Sequence, residues 1–152
     1  MRFSVTGGAG FVGSHLVKLL VEEGHEVIVV DNLHTGKKEN LAGVINKIEF
    51  FDIDIRNYDL MEKKLVDIDG IFHQAALTVV QDSFRNPKEY HDVNVQGTEN
   101  IFKIAQKNNF KVVFASSSSV YGHQEKIPIT EEAKKNPINP YGKTKLDNEH
   151  LM

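Results

Sequence analysis

The chain has 152 residues, 40% of them hydrophobic, enough for one compact α/β domain in which roughly 70% of the unfolded chain's surface is buried. Its 18 basic and 21 acidic residues are spread along the sequence for a formal net charge of −3, so no basic field gathers a nucleic-acid backbone. The absence of cysteine removes disulfides, thiolate catalysis and thiolate zinc sites. The seven histidines show no paired ligand spacing and no window approaches the roughly 18 apolar residues of a spanning helix; the expectation is no metal, no membrane and a cytoplasmic location.

In chain order, Arg2 to Thr6 reads as a short buried strand. The run Gly7-Gly-Ala-Gly-Phe-Val-Gly13 then opens a helix with apolar positions at Phe11, Val12, Leu16, Leu19 and Leu20, ended by Gly24. Glu26 to Val30 is β-branched and closes on Asp31, which completes a βαβ unit within about 30 residues. Further elements follow: a strand at Ile48 to Ile53, a short helix at Asp59 to Val66, and a strand at Gly70 to Gln74. A long helix is predicted around Tyr90 to Lys107, and a very apolar fifth strand at Lys111 to Ala115. Ser116 to Ser119 is a turn, Val120 to Asn139 a mobile loop, and Asn139-Pro140 the N-cap and first residue of a last helix. The alternation of strand and helix predicts a parallel, doubly wound, Rossmann-like sheet of five strands in the order 3-2-1-4-5.

The spacing Gly7-x-x-Gly10-x-x-Gly13 suits a pyrophosphate. The first glycine permits a tight turn, the second lets backbone N–H groups approach the phosphates, and the third lets the helix pack close to its strand. The helix N-terminus, at Phe11 and Val12, then faces the anion. Asp31, at the tip of the second strand, can accept hydrogen bonds from the adenosine ribose hydroxyls while repelling a 2′-phosphate, which favours NAD over NADP. Lys37 and Lys38 are the counterargument, since a cation there could receive that phosphate.

Tyr141 and Lys145 lie four residues apart, on one face of the last helix. A free phenol has a pKa of about 10, and a nearby ammonium favours its phenolate, so Tyr141 could abstract a hydroxyl proton. Of the four serines at the end of the fifth strand, Ser117 is chosen to hold the substrate oxygen during that transfer.

Taken in order, Thr6-Gly-Gly-Ala-Gly-Phe-Val-Gly13, Asp31-Asn-Leu33, Asp54-Ile-Arg56, His73-Gln-Ala-Ala76, Asn94-Val-Gln-Gly-Thr98, Ser116-Ser-Ser-Ser-Val-Tyr-Gly122 and Pro140-Tyr-Gly-Lys-Thr-Lys145 resemble the extended short-chain dehydrogenases/reductases, the NAD-dependent sugar-nucleotide epimerase/dehydratase kind. The resemblance implies NAD as cofactor, with Gly7, Gly10, Phe11, Val12 and Gly13 at the pyrophosphate, Asp31 and Asn32 at the adenosine ribose, and Asp54 with Ile55 at the adenine. It implies Ala75 and Ala76 along the nicotinamide side, Gln74 and Ser116 also at the cofactor, Asn94 as a brace, and Ser117, Tyr141 and Lys145 as the catalytic set, Lys145 also reaching the nicotinamide ribose. Tyr121 could equally be a packing residue.

The related 4,6-dehydratases carry an Asp-Glu pair where Ser118 and Ser119 stand, and the decarboxylases a Glu at Ser119, so the run looks most like nucleotide-sugar 4-epimerases. The implied partners are a nucleotide sugar and a second copy of the chain. The family's sixth strand and smaller C-terminal substrate domain have no counterpart here, so residues 1–152 are expected to be its NAD-binding domain, cut within the helix of Tyr141 and Lys145. An NAD-binding module without epimerase activity, or a short reductase of another small carbonyl, are the competing readings.

Overall fold

In the computed structural model, which describes residues 1–152, strand β1 (Arg2–Thr6) is the middle of a five-stranded parallel sheet. It is flanked by β2 (Glu26–Asp31) and then β3 (Glu49–Asp52) on one side, and by β4 (Gly70–His73) and β5 (Lys111–Phe114) on the other. The order is 3-2-1-4-5, the one expected, and the fold is Rossmann-like. Its register pairs Thr6 with both Val30 and His73, Asp31 with Asp52, and His73 with Phe114. The carboxyl ends of all five strands therefore line one edge, where ligands of open α/β sheets bind.

Contacts divide the chain into two compact units, Met1–Ala76 with Asn100–Ala115, and Leu77–Glu99 with Ser116–Met152. In the first, β2 is buried from Val27 to Asp31, as its β-branched sequence requires of a strand covered on both faces. Val27 and Val29 join Val5, Val17 and Leu20 in one apolar cluster, while Ile28 and Val30, pointing the other way, are equally buried. Helix α1 (Phe11–Glu22) supplies Val17 and Leu20 to that cluster, each worth about 1.5–3 kcal/mol of burial. It stops where Gly24 turns left-handed (φ +78°) and the His25 N–H closes on the Leu20 carbonyl at 3.0 Å. Helix α2 (Tyr58–Lys64) is capped by Asn57, whose side chain accepts from the Leu60 N–H at 3.1 Å. The edge strands are shorter than predicted: β3 ends before Ile53 and β5 before Ala115, and Val113 is exposed.

The second unit departs from expectation before Tyr90. A helix missing from the sequence reading, α3 (Val80–Arg85), precedes α4 (Pro87–His91), and a π-turn spans Asp92–Gln96 before α5 (Gly97–Asn108). The single helix expected over Tyr90–Lys107 thus begins three residues earlier, with proline in its first turn, and carries a wider turn at Asn94. The last helix, α6 (Pro140–Leu151), begins as predicted, its Asn139 side chain accepting from the Gly142 N–H at 2.7 Å. No helix is long and apolar enough to cross a membrane.

Candidate functional site

In the first unit the β1–α1 turn is set by contacts that only glycine allows. Gly7 has φ +66°, and a Cβ there would lie 2.7 Å from the Ala75 nitrogen; a Cβ on Gly13 would lie 2.2 Å from the Gly7 carbonyl oxygen. Both glycines let protein backbones touch. Gly10 differs: its conformation is ordinary, and a Cβ would meet only the Gly7 oxygen, at 3.2 Å. The protein itself asks little of that position, which fits a glycine kept small for a ligand. Helix α1 opens with no side-chain cap and no acid in its first turn, and Phe11 and Val12 are exposed. An uncapped helix start directs N–H groups and a positive dipole outward.

Asp31 is 7% exposed and closes one side of this turn. One carboxylate oxygen accepts from the Ala9 N–H at 2.9 Å, the other from the Leu33 N–H at 2.8 Å. Each oxygen keeps a second lone pair able to accept a further hydrogen bond. Gly36 makes the room, since a Cβ there would come within 2.9 Å of both oxygens. Lys37 donates its backbone N–H to the Ala9 carbonyl, and the Lys38 ammonium lies 4.8 Å from the centre of the Phe50 ring. Asn32 donates to Asp54 at 3.0 Å, and the Arg56 guanidinium holds the same carboxylate through two bonds of 2.9 and 2.7 Å. Those Arg56 bonds, chiefly, lower the Asp54 pKa to about 2 against the cost of burial. A surface groove lined by Asp54, Arg56 and Asn57 opens beside it. The Ile55 side chain is core, and its carbonyl accepts from Asn100 at 3.1 Å.

At the opposite side of the turn, the Thr6 hydroxyl lies 2.6 Å from His73 Nδ1 and accepts from the Ala75 N–H at 3.3 Å, while the Gln74 N–H donates to the Thr6 carbonyl. Gln74, Ala75 and Ala76 are half-buried. The structure thus gathers Gly7, Gly10, Gly13, Asp31 and Ala75 around one turn. Of the groups that hold it, Thr6 and His73 stand in the sequence motifs without an assigned role, and Gly36 and Asn40 carry no signal in the sequence.

In the second unit Tyr141 and Lys145 are both buried, and the Lys145 ammonium lies 6.0 Å from the centre of the Tyr141 ring. Burial pushes the Lys145 pKa down to about 8. The Tyr141 N–H donates to the Ser83 hydroxyl at 3.2 Å. Asn94 binds both backbone groups of Leu77, at 2.8 and 2.9 Å, and donates to the Thr144 hydroxyl at 3.1 Å; its brace thus joins the π-turn to α6. Asn148, also missed by the sequence reading, donates to the Asn94 carbonyl at 2.8 Å. Ser117 caps the short turn Ser118–Val120, accepting from the Ser119 N–H at 3.2 Å. Gly142 packs against that turn: a Cβ would meet the Ser119 oxygen at 2.6 Å. Ser116 donates to Glu149 at 2.5 Å, and Glu149 also receives Lys135.

A parallel sheet in this order, a glycine turn at its middle strand and a buried acid at the end of the next strand define a Rossmann-type nucleotide-binding fold. The chain belongs to the NAD-dependent epimerase/dehydratase family, whose model matches residues 3–152. It is 43% identical over its whole length to the UDP-glucose 4-epimerase of Lactobacillus helveticus, covering 46% of that protein. It is 45% identical over 97% of its length to the putative UDP-glucose 4-epimerase of Methanocaldococcus jannaschii, covering 48% of it. Among solved structures, the UDP-Glc/GlcNAc 4-epimerase of Campylobacter jejuni superposes with a TM-score of 0.94 at 30% identity, over 99% of this chain and 47% of that one. The UDP-glucose-4-epimerase of Stenotrophomonas maltophila, with bound NAD and formylated UDP-arabinopyranose, gives 0.93 at 35% identity, over 99% of this chain and 47% of that one. The chain spans about half the length of the curated relatives it matches.

Proposed function

We propose that residues 1–152 are the NAD-binding Rossmann domain, with its catalytic helix, of a nucleotide-sugar 4-epimerase acting on UDP-glucose-type substrates. The observation that carries the reading is the buried Tyr141–Lys145 pair, four residues apart on α6. The glycine turn fits the cofactor: its two tightest glycines are spent on protein contacts, and the third is open where a pyrophosphate would lie. Asp31 would hold the adenosine ribose, and the half-buried Ala75 and Ala76 would line the nicotinamide side.

NAD⁺, when bound, supplies the acceptor and then the donor of the hydride at sugar C4, so the net reaction consumes no oxidant. Tyr141 takes the proton of the 4-hydroxyl and later returns it. Lys145, which at neutral pH still carries its proton with a pKa of about 8, sets a positive charge beside that phenol. Ser117 holds the reacting oxygen, and Asn94 keeps α6 in place through Thr144.

The test joins this sequence to the C-terminal half of the Lactobacillus helveticus relative. The chimera is expected to interconvert UDP-galactose and UDP-glucose, and Tyr141→Phe to lower that rate by about 10²–10⁴-fold. A folded, NAD-loaded chimera with no such activity, or one indifferent to Tyr141→Phe, contradicts the reading.

A further inference from the structure

We propose that Asn40 is a positioning residue for the phosphate-binding turn, fixing the Ala9 peptide so that the cradle is preformed for a pyrophosphate. The inference rests on the dinucleotide reading above and deepens it. Ala9 is fully buried, between Gly8 and Gly10, and both its polar groups are tied from outside the turn. Its N–H donates to Asp31, and its carbonyl accepts from the Lys37 N–H at 3.0 Å and from the Asn40 side-chain amide at 2.8 Å. The next N–H, that of Gly10, is closed on the Gly7 carbonyl at 3.1 Å.

A residue flanked by glycines has little intrinsic barrier to reorienting its peptides. Were the Ala9 carbonyl to swing toward the start of α1, its negative end would oppose the phosphates that the helix N–H groups attract. Two donors from one short segment hold the oxygen instead, and that segment is rooted by Leu41, which is fully buried. Of the two donors only Asn40 is a side chain, so it alone can be withdrawn while the backbone stays intact. The same residue, Ala9, is held at its other end by the carboxylate read as the ribose ligand. Asn40 and Asp31 thus hold the two peptide groups on either side of one residue.

The test is titration of the 152-residue chain, wild type and variants, with NAD⁺, ADP and adenosine, by calorimetry or, for weak ligands, by NMR shifts. Asn40→Ala is expected to weaken NAD⁺ and ADP about tenfold, the equivalent of one net hydrogen bond, and to change adenosine less than about threefold. Asn40→Asp sets an acceptor against the Ala9 oxygen and is expected to weaken the two pyrophosphate ligands further. The melting midpoint should stay within a few degrees of wild type; should Asn40→Ala not fold, Asn40→Asp, which keeps the shape and lacks the donor, carries the same comparison. Unchanged NAD⁺ and ADP affinity in a folded variant, or an equal loss for all three ligands, overturns this inference alone. A folded wild-type chain that binds no NAD⁺ overturns the dinucleotide reading, and this inference with it.

Discussion

Asp31 carries a structural role and, in the reading proposed above, a ribose-binding one. Its two bonds from Ala9 and Leu33 fix it in place and leave each oxygen a second lone pair, which is what the proposed ribose diol would use. Asp31→Asn keeps the shape but removes the charge that repels a 2′-phosphate. The variant is expected to bind NAD⁺ more weakly and to narrow the preference against NADP⁺; an unchanged ratio of the two affinities contradicts the ribose assignment.

Lys145 gives a second residue-scale prediction, because burial holds its pKa near 8 against 10.5 for the free side chain. Below about pH 8 both folded and unfolded chains carry the proton, and the cost of burying the charge is felt in full. Between about 8 and 10.5 the folded chain releases it first, the unfolded chain binds more protons, and stability rises with pH by up to about 3 kcal/mol from this group. The urea midpoint of the wild type, taken relative to Lys145→Met, should climb across that window. A flat difference between the two curves would show that the ammonium is not desolvated.

The glycine turn and its helix bear on the next scale. Gly13 brings α1 onto the turn, and the backbone oxygen a Cβ would strike, at 2.2 Å, has no freedom to retreat. Gly13→Ala should therefore cost about 1–3 kcal/mol of stability, measured by denaturant unfolding. Gly10→Ala, whose Cβ meets only one atom at 3.2 Å, should leave the unfolding midpoint nearly unchanged and lower dinucleotide affinity instead. If the two variants behaved alike, the division of roles between these glycines would be wrong.

Elements were readable from sequence where local chemistry decides them. β2 announces itself by its β-branched run, α1 by the glycines at either end, and α6 by Asn139-Pro140. The same Asn-Pro signal at Asn86-Pro87 marks the start of α4, three residues before the expected one. Helix α3 is six residues long, too short for a period to show, and the π-turn carries Asn94, whose amide binds Leu77, a contact no local pattern reports. The groups that brace the glycine turn, the segment after β3 and α6 are invisible for a related reason. Asn40 acts on a residue 31 positions away, Asn100 on one 45 away and Asn148 on one 54 away, so only the fold brings them together.

At the scale of the whole molecule, the family and the sheet order were legible because motifs lie along the entire chain, whereas the substrate was not: the chain spans about half the length of the relatives whose names carry one. What the chain itself should do is bind the dinucleotide. The most direct measurement is calorimetric titration of the purified 152-residue chain with NAD⁺, paired with its melting curve. The account predicts saturable one-to-one binding and, at a hundredfold excess over the dissociation constant, about 2.7 kcal/mol of added stability. A cooperatively folded chain that gives no binding heat and no shift of its midpoint would contradict it.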